Sequence, residues 1–64
     1  MKQRLRYHYA LRFARAKLAN ADASMRELPL TSSHPVVLEA VSRYRLQLPQ
    51  VRRLVSQLRK DRDE

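Results

Sequence analysis

The sequence predicts an all-α fold, and within it an antiparallel two-helix hairpin that pairs with a second copy to form a helical bundle. Gly is absent and Pro occurs only three times, while Ala, Leu, Arg, Gln and Lys, all good helix formers, are common. Apolar residues recur in alternating steps of four and three at Tyr7, Leu11, Ala14, Leu18, Ala21, Met25 and Leu28, the spacing of one helical face. After a single cluster of turn residues, "LPLTSSHP" at 28–35, the same rhythm returns at Val37, Val41, Tyr44, Leu48, Val51, Val55 and Leu58.

The first helix is expected over about residues 3–27, ended by Pro29, and the turn over 28–34. Ser32 or Ser33 is placed to cap the second helix. Pro35 falls near its first positions, where a missing N–H costs nothing. The second helix is expected over about 35–60 as one bent rod, because Tyr44, Leu48 and Val51 keep phase across Pro49 and neither Gln47 nor Leu48 is a good cap. A proline inside a helix costs about 3 kcal/mol, which the packing of a long seam would have to offset. Residues 61–64, "DRDE", read as a solvated acidic tail.

Folding the helices together pairs Tyr7 with Leu58, Leu11 with Val55, Ala14 with Val51, Leu18 with Leu48 and Ala21 with Tyr44. Beside this seam one edge carries His8, Arg15 and Asp22 from the first helix and Arg45, Arg52 and Arg59 from the second. Arg15, Arg45, Arg52 and Arg59 then form a stripe that could grip phosphates or carboxylates. The first helix has a further apolar side at Leu5, Tyr9 and Phe13, flanked by Arg12. A helix apolar on two sides needs two neighbours, and a Leu/Tyr/Phe group has the make-up of an interface anchor.

A chain of 64 residues is one small domain whose core alone gives little stability. With no Cys to supply disulfides, oligomerisation is the expected supplement, hence a homodimer. Fourteen Lys and Arg against six Asp and Glu give a formal charge of +8, which suits a polyanionic or acidic partner. No apolar run approaches the roughly 18 residues of a membrane span, and the chain reads as soluble and cytoplasmic. His8 and His34 lie apart with no carboxylate at ligand spacing, and the serines have no nearby base. No catalysis, metal, cofactor or small-molecule substrate is therefore expected.

Two functions compete for these surfaces. The first is a protein-interaction module, of the adaptor or inhibitor kind that phages and plasmids make, binding stoichiometrically through Leu5, Tyr9, Phe13 and Arg12 and through the arginine stripe to an acidic protein surface. The second is an RNA- or DNA-binding regulator using the same stripe. In size and expected architecture the chain is similar to plasmid copy-number regulators that grip paired RNA loops as hairpin dimers. A helix-turn-helix reader of DNA would need a third helix and a compact turn, which a break at Pro49 would supply and a bend does not.

Overall fold

The computed structural model describes residues 3–63, and side chains from Leu5 onward. Among these residues the structure is all-helical: α1 (Gln3–Asn20), α2 (Ala23–Glu27), α3 (Pro35–Tyr44) and α4 (Leu48–Asp63). α1, α3 and α4 form the bundle, and α2 is a single short turn of helix beside α1. No helix among the described residues is long and apolar enough to cross a membrane.

The first expected helix stops seven residues early. Asn20, Asp22 and Ser24 hydrogen-bond readily to nearby backbone and favour helix ends over interiors. Asp22 takes extended backbone angles as the residue before α2, and its carbonyl accepts from the Arg26 N–H. α2 ends at Leu28, again extended, because the ring of Pro29 excludes the helical conformation from the residue before it.

The cap of α3 is His34 rather than Ser32 or Ser33. Its Nδ1 accepts from the Val36 N–H at 3.1 Å, and its Nε2 donates to the Met25 carbonyl at 3.2 Å. The two bonds fit the tautomer with the proton on Nε2. His34 is buried, tying the end of α2 to the start of α3, and Pro35 occupies the first helical position.

The largest departure from the expected hairpin lies at residues 45–47, where the long second helix divides into α3 and α4. Arg45 turns into the left-handed region at φ 53°, ψ 49°, and the N–H groups of Arg45 and Leu46 both end on the Val41 carbonyl. This is the closure that commonly terminates helices, with a glycine usually at the left-handed residue. Gln47 then starts α4: its carbonyl accepts from the Val51 N–H, and its own N–H donates to Gln50 Oε1 at 2.9 Å. The last bond is half of a capping box, with Gln50 at its usual third position. Pro49 is the second residue of α4, where its missing N–H leaves no helical bond unmade.

The apolar phase across Pro49 is a coincidence of spacing. Leu46, assigned no place in the seam, is 8% exposed, whereas Leu48, expected within it, is 62% exposed. Val51, Leu54, Val55 and Leu58 line the buried face of α4. Ala10, Ala14, Val37 and Ala40 are fully buried, and these small side chains let α1 and α3 approach closely.

Chain directions follow from paired side chains. α3 runs antiparallel to α1, since Phe13 meets Tyr44 while Lys17 pairs with Glu39. α4 runs parallel to α1, since Tyr7 meets Arg53 while Arg15, further along, meets Asp61. The expected pairing of α1 with residues 48–58 in antiparallel register is therefore replaced, and Tyr44 lies beside Phe13 instead of Ala21. Asp61 and Asp63 belong to α4 instead of a free tail, held there in part by the Arg15 bond; Glu64 lies outside the described residues.

Candidate functional site

Splitting the second helix gives α4 its own solvent face. With Val51, Leu54, Val55 and Leu58 turned inward, helical geometry points Pro49, Arg53, Ser56 and Lys60 outward, with Arg52 and Arg59 on one shoulder. All six are exposed. A groove of about 600 Å³ runs between the loop before α3 and this shoulder, lined by Thr31, Ser32, Leu48, Arg52, Ser56 and Lys60 among others.

The basic side chains of α4 divide by what holds them. The Arg53 guanidinium lies 5.0 Å from the centre of the Tyr7 ring, an attraction to the ring face that orients the cation without neutralising it. Arg59 donates through Nε to the Leu30 carbonyl at 2.8 Å, and Arg62 donates to the Leu28 carbonyl at 2.6 Å. These two fasten the far end of α4 to the loop. Among the described residues, Arg52 and Lys60 enter no ion pair.

Negative charge is unevenly placed along the molecule, whose longest extent is 33 Å. Arg6, Arg43, Arg45, Arg52 and Arg53 lie toward the end formed by the start of α1, the α3–α4 turn and the first turns of α4. The described carboxylates, Asp22, Glu27, Glu39, Asp61 and Asp63, lie level with Arg15 and Lys17 or further toward the opposite end. One end is thus a concentrated positive pole, and such a pole raises the local concentration of polyanions and steers their approach.

The expected stripe does not lie on one edge. Arg15 forms a two-pronged bond to Asp61, Nε at 2.6 Å and Nη2 at 3.2 Å, rather than facing Arg52. This contact holds the Asp61 carboxyl below the usual range; partial burial opposes the shift, and a hydrogen bond from Gln57 adds to it. Arg59 is engaged with the loop, Arg45 sits in the turn, and Arg52 faces solvent. Of the apolar anchors, Leu5 and Tyr9 are 44% and 42% exposed. Phe13 is drawn inward instead, edge-on to Tyr44 at 5.8 Å with Arg43 over its ring at 5.1 Å. Arg12 is exposed on the outer side of α1.

Three residues not among the expected binding residues, Arg53, Ser56 and Lys60, stand on the outward face of α4. The available signal was the spacing of Val51, Leu54, Val55 and Leu58 taken as a helix in its own right, which turns these positions outward. Among the described residues no group of three His, Asp or Glu gathers as a metal site. The chain matches no family model, and neither a curated protein nor a solved structure matches it.

Proposed function

We propose that the chain is a helix-turn-helix regulator that binds duplex DNA in the cytoplasm, with α3 and α4 as the two helices of the motif and α4 in the major groove. The observation that carries this reading is the turn at Arg45–Gln47. It joins two helices through a left-handed residue, buries Leu46 as the motif's apolar pin, and starts a capped helix whose first turns expose Gln47, Arg52, Arg53 and Ser56. Recognition helices contact base edges mainly from such N-terminal turns. Arg can bond a guanine bidentately and Gln an adenine, while the positive pole supplies phosphate attraction.

Titration of labelled duplexes at 50 and 200 mM salt tests this. Several phosphate contacts require affinity to fall by orders of magnitude over that range, with a linear dependence of log affinity on log salt. Arg52→Ala should weaken binding and relax the preference among duplex sequences. Absence of duplex binding at 50 mM salt, or binding indifferent to salt, refutes the reading.

The same proposal includes a homodimer, because a two-fold pair presents two α4 helices to successive major-groove segments. The exposed Leu5 and Tyr9 on the outer side of α1 support a contact there. Sedimentation equilibrium should give a dimer that Leu5→Glu with Tyr9→Glu dissociates; a folded wild-type monomer at high concentration rejects it.

A second reading, a stoichiometric protein-binding module, draws support from the same Leu5 and Tyr9 and from the exposed Leu48 beside Arg52. It requires a nuclease-resistant complex from the native host that Leu48→Ala or Tyr9→Ala abolishes while the fold is retained.

A further inference from the structure

Three arginines converge on one recess at the α3–α4 turn. Arg6 from α1, with Arg43, Tyr44 and Arg45 from the end of α3, lines a space of about 200 Å³, and no Asp or Glu belongs to this lining. Like charges gathered without a counterion in the lining repel one another.

Two of the three arginines have distinctive settings. The Arg43 guanidinium rests against two touching aromatic rings, 5.1 Å from the centre of Phe13 and 5.9 Å from that of Tyr44. Attraction to the rings favours this position of the cation without neutralising its charge. Arg45 is the one described residue with a positive φ. Its backbone is one that a glycine adopts freely and a side chain disfavours. A non-glycine residue held there points to a use for the side chain.

We infer that Arg6, Arg43 and Arg45 form a seat for one phosphate group of the DNA backbone, at the turn of the motif. The inference rests on the duplex-binding reading and adds to it a fixed anchor. α4 supplies base contacts, whereas this seat sets the register of the helix on the duplex, since phosphate contacts position and base contacts specify. Arg offers the planar, forked donors that suit a phosphate.

The experiment compares wild type, Arg45→Gly, Arg43→Gln and Arg52→Ala. Arg45→Gly relieves the backbone and should raise the thermal midpoint, yet weaken duplex binding about tenfold. It should also lower the salt slope by about 0.9, one phosphate's worth, with the ranking of duplex sequences unchanged. Arg43→Gln should lower the slope similarly. If both variants keep wild-type affinity and slope while Arg52→Ala loses binding, the seat is wrong and the duplex reading stands.

A second arm uses pyrophosphate, compared with chloride at equal ionic strength, followed by amide shifts of residues 43–46. Saturable shifts erased by Arg43→Gln support the seat even where duplex DNA fails to bind. Shifts no larger than those with chloride overturn it.

Discussion

Tyr7 and Arg53 meet across the α1–α4 interface, ring centre to guanidinium at 5.0 Å, while Arg15 and Asp61, each eight residues further along its own helix, meet at 2.6 Å. Two contacts in the same order along both helices can form only if the helices run parallel. They tie α4 to α1 at two levels. Tyr7→Leu keeps an apolar side chain but removes the ring beneath the cation. A double-mutant cycle with Arg53→Ala, read by urea unfolding, should give a coupling of about 0.5–1 kcal/mol; a coupling near zero means the geometry carries no energy.

The Arg15–Asp61 bond makes stability depend on acid. Its carboxyl titrates lower in the folded chain than in the unfolded one. Its stabilisation is therefore complete above the unfolded carboxyl range, near pH 4, and fades as pH falls through the lower folded value. Both side chains are substantially exposed, at 46% and 32%, so solvent screening limits the contribution to a few tenths of a kcal/mol. Asp61→Asn should flatten that part of the pH profile in urea unfolding, and 1 M salt should shrink the wild-type effect.

Pro49 gives a test of where the helix starts. Within a continuous helix its replacement by Ala would stabilise the chain by about 3 kcal/mol. As the second residue of α4, it already has a suitable backbone angle and lacks only an N–H that no helical carbonyl could take. Pro49→Ala should accordingly change the unfolding free energy by less than about 0.5 kcal/mol. A gain of several kcal/mol would return residues 35–60 to one bent helix.

His34 holds α2 and α3 together through one ring. Removing it with Ala leaves the Val36 N–H and the Met25 carbonyl without these partners, and the loss should be about 2 kcal/mol, cap and buried polar group combined. His34→Asn retains a capping acceptor and should recover about half. Equal unfolding midpoints for wild type and the Ala variant would show that the cap contributes nothing.

Much of the inward surface could be read from residue order. Tyr7, Leu11, Ala14 and Leu18 pack toward the core, as do Val37, Val51, Val55 and Leu58, because helical periodicity is written locally. Phe13 was misplaced because its position on α1 is ambiguous until α3 is docked. Once Tyr44 lies beside it, the ring belongs to the α1–α3 interface. The arginine stripe failed for a related reason: it assumed one helix axis through residues 45–59, and each arginine's direction changes when that axis divides.

The amino-acid order by itself determined the helical class, the positive charge, the turn around Pro29 and Pro35, and which faces of the helices seek burial. These depend on propensity, proline stereochemistry and spacing within a few residues. Tertiary structure decided that Arg45 leaves the helix, that Leu46 replaces Leu48 in the core, and that α4 lies parallel to α1 with Arg52, Arg53 and Lys60 outward. A three-residue turn hardly disturbs the apolar rhythm, so periodicity cannot separate a bend from a break. What separates them is the burial of Leu46 and the closure of two N–H groups on Val41, gained when α4 docks against α1 from more than forty residues away in the chain.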